Sequence, residues 1–211
     1  CLKYGVTTNH VLGLEVVLAD GTVMNFGSKM LDAPGYDLPG VFVGSEGTLG
    51  VATKVTLRIV KRPEFVQTLL AAFASTTEAA AAVSGIIAAG MLPAAIEMMD
   101  TLAIQAAEAA VHANYPVCGG LLLVELDGPV AEVETLMEEV GAICRANGAS
   151  EVRVSKTDEE RALVWKGRKA AFAAMGRLSP NYLVQDGVIP RTALPEILSE
   201  IERMSAASFS A

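Results

Sequence analysis

The chain is poor in aromatic residues, at 5% with a single tryptophan, and poor in charge, with 19% Asp, Glu, Lys and Arg. Aliphatic and small residues fill the gap: 52% of the 211 residues are hydrophobic. That is enough to bury a substantial core, in one large domain or two small ones. The abundance of alanine favours helices packed closely on sheets. There is no excess of basic charge. The formal charge of −8 argues against non-specific nucleic-acid binding, which needs a basic surface. Cysteines are three, Cys1, Cys118 and Cys144. They are odd in number, far apart and without metal-ligand spacing, which fits reduced thiols in the cytoplasm. No apolar run is long enough to span a bilayer, and no signal peptide is visible. With two histidines in the chain, no Ser–His–Asp arrangement can be argued. The sequence opens at Cys1 without a methionine and reads as a fragment.

The most distinctive stretch is Gly44-Ser45-Glu46-Gly47-Thr48-Leu49-Gly50, which runs into Val51-Ala52-Thr53. Glycine permits positive φ and lets another group approach the backbone closely. Ser45 and Thr48 supply short hydroxyls suited to turns. Successive N–H groups left without partners in such a loop form a concave anion site, for a phosphate or a polarised ring carbonyl. The plainer reading is a tight loop feeding a strand, since glycine count alone is a weak motif. Glu46 is the awkward member, because a carboxylate repels a phosphate. It is expected to turn away and to accept backbone bonds that hold the loop.

The flanks organise into two parts. Residues 10–19 read as a strand, Asp20-Gly21 as a hairpin turn and 22–26 as the returning strand. A loop is expected over 32–39, a short helix over 38–43, and a strand over 51–60 with Val51, Val55, Leu57 and Ile59 on one face. Lys61-Arg62-Pro63-Glu64 marks a domain boundary. Beyond it, strands at 65–73, 94–99, 119–126, 152–154 and 181–185 alternate with helices. Capping-box spacing opens two helices, at Ser75/Glu78 and Thr157/Glu160. Asp100 is an N-cap for a third, ending near residue 113. Pro129 starts a fourth, closed by Gly148, and residues 192–204 form a last one. The alternation indicates an open α+β sheet covered by helices on one face.

Two stretches together are more specific than either alone: Tyr4-Gly5-Val6-Thr7-Thr8-Asn9-His10-Val11-Leu12-Gly13-Leu14-Glu15 and the glycine loop at 44–50. The pair resembles the second half of the FAD-binding domain of the vanillyl-alcohol-oxidase type, in the subgroup of FAD-linked glycolate oxidase subunits and D-lactate dehydrogenases. Asp186-Gly187-Val188-Ile189-Pro190-Arg191 is similar to that subgroup's cap domain. The resemblance implies a partial FAD-binding domain at 1–62 and a ferredoxin-like α+β substrate or cap domain at 63–211, truncated at its C-terminus. It implies FAD as cofactor, with Gly5, Thr8 and Asn9 near its pyrophosphate or ring. Gly44, Ser45, Glu46, Gly47, Thr48, Leu49, Gly50, Val51 and Ala52 would lie along the flavin. The implied reaction oxidises a small D-2-hydroxy acid, of the glycolate or D-lactate type, to the 2-oxo acid by hydride transfer to the flavin. An iron–sulfur subunit would accept the electrons, and the setting would be cytoplasmic, or peripheral to the inner membrane through that partner.

The family's first phosphate loop and its metal-binding histidine segment lie outside residues 1–211, so no metal ligand is assigned here. The chain alone is expected to hold little or no FAD. Bare strand edges in the first part leave room for a homo-oligomer. The competing class is a non-catalytic cap-like module that serves assembly or small-acid binding and holds no flavin.

From Arg161 to Gln185 there are five basic residues and no acidic one. Lys166, Arg168 and Lys169 have no acidic partner at i±3 or i±4. Gly167 costs a helix roughly 1 kcal/mol relative to alanine, so something is expected to pack closely there. Either the patch binds a carboxylate, for which arginine's planar fork is suited, or it pairs with acids elsewhere in the chain. Trp165-Lys166-Gly167-Arg168 matches the family's Trp-x-x-Arg setting, which makes Arg168 the candidate ligand of the substrate carboxylate. His10 is read as structural or cofactor-touching, and His112 as a helix C-terminal residue without chemistry.

Overall fold

A computed structural model describes residues 2–31, 34–177, 179 and 181–208. Cys1, and Asp32 at the head of the loop expected over 32–39, lie outside the described residues. The chain divides into two compact units, Lys3–Arg62 and Pro63–Ala211.

The first unit is a three-stranded antiparallel sheet in the order β2-β1-β3, from β1 (Val11–Val17), β2 (Val23–Gly27) and β3 (Val51–Leu57). The Asp20-Gly21 turn joins β1 to β2: Leu18 N–H donates to Thr22 O at 2.9 Å, and Gly21 takes φ +84°. A short helix, α1 (Leu38–Phe42), lays Phe42 on Leu14, Val16 and Phe26. Its N-cap is Asp37, whose carboxylate accepts from Gly40 N–H at 2.9 Å. The core here is small. Val51, Val55 and Leu57 of β3 are half or more exposed.

The second unit is a four-stranded sheet in the order β5-β6-β4-β7. Its strands are β4 (Phe65–Phe73), β5 (Ala95–Asp100), β6 (Gly120–Gly128) and β7 (Glu151–Val154). All three neighbouring pairs are antiparallel. β4 and β5 therefore run parallel, with α2 (Thr76–Ala88) crossing between them, and α4 (Val130–Ala146) does the same for β6 and β7. This double split β-α-β arrangement is the ferredoxin-like α+β fold that the family resemblance implies. A further helix, α3 (Thr101–Val111), interrupts the β5–β6 connection. Two more, α5 (Asp158–Ala174) and α6 (Leu194–Ser208), follow β7.

The sheet is covered on both faces, not on one. Leu69, Ala71, Phe73, Leu122 and Val124 meet α2 and α4. Leu70, Ala72, Leu121 and Leu123 meet α3 and α5. The strand centres are accordingly apolar without alternation, as strands buried on both sides must be. A second difference lies at 181–185, where an apolar run suggested a strand. Among the described residues that segment has no strand partner, and it exposes Tyr182, Leu183 and Val184.

Local chemistry sets the helix starts. Ser75 Oγ accepts from Glu78 N–H and Thr157 Oγ1 from Glu160 N–H, both at 3.2 Å. Asp100 Oδ1 accepts from Ala103 N–H at 2.8 Å. Each satisfies an N–H that the first helical turn leaves over. Both glutamates reach one residue further back than the simplest capping box, to the N–H groups of Ala74 and Lys156.

At Gly167 of α5 the segment after α3 packs directly on the helix backbone. A Cβ there would collide with the Tyr115 hydroxyl and stand 2.8 Å from Ala113 Cβ. Tyr115 donates its O–H to the Val164 carbonyl. Burial pushes its phenol up from 10.0 to about 12. A raised pKa means stability present in full below the unfolded value and lost as pH climbs through the folded one. Denaturant midpoints measured across about pH 9 to 12 should therefore fall more steeply for the natural protein than for Tyr115→Phe. Parallel curves would show that this phenol titrates normally.

Candidate functional site

In the first unit the glycine loop leaves α1 and returns to β3 through four left-handed residues: Gly44 (φ +88°), Glu46 (+51°), Gly47 (+79°) and Gly50 (+149°). Added Cβ atoms at Gly44 and Gly47 would meet nothing within 4 Å, so those glycines serve conformation alone. Gly50 serves space as well, since its Cβ would stand 2.6 Å from the Val17 carbonyl oxygen. Three bonds hold the loop. Ser45 N–H donates to Phe42 O at 3.1 Å, Thr48 N–H to Ser45 O at 3.0 Å, and Thr48 Oγ1 to the same carbonyl at 2.6 Å. Glu46 accepts none of them. The expectation that its carboxylate ties the loop together is corrected, because the Ser45 carbonyl does that work. The N–H groups of Glu46, Gly47 and Leu49 make no hydrogen bond within the chain among the described residues.

Glu46 and Gly47, two of these donors, border a cleft of about 440 Å³. Gly44, Ser45, Glu46, Gly47, Gly50, Val51 and Ala52 line it, and Thr7 of the neighbouring 3₁₀ turn (Thr7–Asn9) completes the rim. Leu14, Phe42 and Val55 make the wall apolar. Thr48 and Leu49 lie in the loop without lining the cleft. Gly5, Thr8 and Asn9 shape the turn instead: Gly5 has φ +80°, a Cβ there would stand 2.8 Å from Asn9 Nδ2, and Asn9 N–H donates to Val6 O at 3.0 Å. His10 Nε2 bonds the Tyr4 carbonyl at 2.8 Å, a fastening of the same turn. Thr7 was missed because nothing local separates it from Thr8; only the curl of the turn decides which faces the cleft.

In the second unit four of the five basic residues lie on α5, and Arg177 ends the 3₁₀ turn that follows it. Arg168 is paired: its Nη2 stands 2.7 Å from Glu97 Oε2 of β5, with the side chain one-third exposed. Helical spacing offers Arg168 no partner, and the alternative of an acid from elsewhere in the chain is met by a carboxylate 71 positions away in sequence. Arg161 reaches Glu125 at 3.4 Å and Asp158 at 3.3 Å. The Nε atoms of both arginines are buried without a hydrogen-bond partner. Lys166 and Lys169 are exposed and have no ion pair among the described residues. Burial pushes the Cys144 thiol up to about 11 and raises that of Cys118. Neither is a ready nucleophile.

Among curated proteins, the chain is 48% identical to the glycolate oxidase subunit GlcD of Escherichia coli K12 over 97% of its length, and 40% identical to the Bacillus subtilis GlcD over 97%. It is 36% identical over 94% to a probable mitochondrial D-lactate dehydrogenase of Danio rerio. It spans only 41%, 44% and 41% of those proteins. Among solved structures, an alkyldihydroxyacetonephosphate synthase superposes with a TM-score of 0.68 at 17% identity, over 97% of this chain and 42% of that one. A p-cresol methylhydroxylase gives 0.57 at 16%, over 77% and 40%. These two speak to the fold alone. Residues 62–210, almost the whole second unit, match the model of the family described as FAD linked oxidases, C-terminal domain, and the chain belongs to that family.

Proposed function

We propose that this chain supplies one wall of a flavin cleft, in residues 1–62, and a substrate cap, in residues 63–211, to an enzyme that oxidises a small D-2-hydroxy acid to the 2-oxo acid. The observation that carries the reading is the pair of N–H groups at Glu46 and Gly47, without a partner in the chain among the described residues, on a loop bordering an apolar cleft. Such donors match the oxygens of a phosphate or of a polarised ring carbonyl, so the residues present fit part of FAD. FAD, when bound, supplies the hydride acceptor. The chain's own contribution is to bind and orient. The N–H groups would neutralise cofactor oxygens, Gly50 lets the backbone approach closely, and Leu14, Phe42 and Val55 offer the cofactor an apolar wall. Glycolate and D-lactate are the proposed substrate types, after the names of the relatives.

Arg168 is the proposed ligand of the substrate carboxylate. With Nη2 on Glu97 and Nε buried, Nη1 is the donor left for an acid. Arg168→Lys in the complete enzyme replaces two fixed nitrogens, one for Glu97 and one for the acid, by a single ammonium. At roughly 1.5–3 kcal/mol for a charged hydrogen bond, kcat/KM should fall by about one to two powers of ten. Unchanged steady-state kinetics would remove Arg168 from the site.

An iron–sulfur electron acceptor is proposed as partner. No helix among the described residues is long and apolar enough to cross a membrane; a membrane association is proposed through that partner. The reading is tested by purifying the complete protein. Flavin absorbance that bleaches on adding glycolate or D-lactate supports it, and a colourless protein inert to both acids overturns it.

A further inference from the structure

We propose that the cavity beside Trp165 on α5 is a binding site for a carboxylic acid with an apolar body, and that Thr68 is its positioning residue. The choice of an organic acid rests on the flavoenzyme reading above; the site itself is built by the second unit alone. The cavity holds about 600 Å³, within the range of about 300–1,000 Å³ typical of ligand pockets and far more than a two-carbon acid fills. Ala95, Ala162 and Trp165 give it apolar walls. Its charged lining is Arg161, Lys166, Lys169 and Glu125. Glu125 is already engaged by Arg161, so the two lysines leave the mouth cationic.

The lining is held by one continuous chain of hydrogen bonds. Trp165 Nε1–H donates to Thr68 Oγ1 at 2.9 Å, and Thr68 O–H donates to Glu125 Oε2 at 2.9 Å. Arg161 Nη1 donates to that same oxygen at 3.4 Å. Thr68 is buried at 2% exposure and stands directly opposite Glu125 across the β4–β6 ladder. Its hydroxyl is the single atom that both accepts from the indole and donates to the carboxylate. It thereby fixes the aromatic wall and, through Glu125, the guanidinium. A buried polar side chain spending both its bonds on the lining of one cavity is a placement that core packing does not require, because valine would fill the same volume.

Trp165 is the chain's one tryptophan, so its emission reports on the cavity directly. Titration of the protein with D-3-phenyllactate should give a saturable change. Lys166→Gln/Lys169→Gln, made at two exposed positions, should weaken it by about tenfold or more. Thr68→Val should weaken binding and shift the emission of the ligand-free protein, since the indole loses its acceptor. Thr68→Ser should restore both. If Thr68→Val does not fold, the lysine pair decides. A flat titration, an equal response to neutral 2-phenylethanol, or unchanged affinity in the lysine variant overturns the site. Flavin turnover does not enter the readout. A flat titration therefore leaves the flavin reading standing, and an enzyme inert to glycolate leaves the cavity standing.

Discussion

Gly50→Ala in the complete protein is expected to release most of the bound flavin while leaving the second unit folded. The added methyl would stand 2.6 Å from the Val17 carbonyl oxygen at a backbone φ of +149°. The neighbouring atom is backbone in β1, which cannot swing aside as a side chain can. The loop itself must shift, and the N–H groups of Glu46, Gly47 and Leu49 shift with it. Losing one or two charge-assisted hydrogen bonds at roughly 1.5–3 kcal/mol each weakens binding by about one to four powers of ten. Gly44→Ala is the comparison. Its methyl meets nothing, so it pays only the left-handed strain of roughly 1–2 kcal/mol and should keep more flavin. Equilibrium dialysis ranks the three proteins. Equal affinity in Gly50→Ala and the natural protein would mean that this loop does not grip the cofactor.

Gly167→Ala should destabilise the second unit even though alanine is the better helix former. The propensity gain is roughly 1 kcal/mol. Against it stands a methyl driven into the Tyr115 hydroxyl and 2.8 Å from Ala113 Cβ, and overpacking of this kind costs typically 1–3 kcal/mol. The 113–115 segment cannot move off α5 cheaply, because Tyr115 is also hydrogen-bonded to Val164 one turn earlier on α5. Gly167→Val should be worse. Adding Tyr115→Phe should recover part of the loss, since the hydroxyl is the nearest obstacle. Thermal melts of the single and double variants give the coupling; a Gly167→Ala protein that melts higher than the natural one would refute the contact.

The sequence exposes what is local. Ser75, Asp100 and Thr157 cap helices through an N–H three residues away, so spacing alone identifies them. The α+β class was legible for the same reason, in alternating elements with clear starts and stops, whereas the ferredoxin-like arrangement was implied only by the family resemblance. The second helical layer was not. α3 and α5 are rich in alanine, and a small residue packs tolerably on any side, so their sequences do not say which face of the sheet they cover. The Arg168–Glu97 pair is invisible to helical spacing because its carboxylate comes from a different strand. At 181–185 the apolar run has strand propensity without a neighbour to pair with, and a strand exists only in a ladder. The left-handed turns at Gly44, Gly47 and Gly50 were signalled by residue type. Which loop atoms face the cleft was not, since that depends on how the 3₁₀ turn lies beside them.

The strand order of the second unit has a consequence for how the chain reaches its fold. β4 is made first, yet both of its partners, β6 and β7, come late: Phe65 pairs with Gly128 and Phe73 with Gly120. β5, the next strand to appear, does not touch β4 at all, because β6 lies between them. A growing chain that has completed β4, α2, β5 and α3 therefore holds two unpaired strands and an apolar helix face with no sheet to close on. Local contacts cannot assemble this domain half by half; the ladder zips only once β6 arrives to sit between the two waiting strands. Such non-local pairing makes folding slow for its size. It leaves Leu69, Leu70, Ile96 and Met99 uncovered during synthesis, the interval in which the nascent chain most needs shielding from its neighbours.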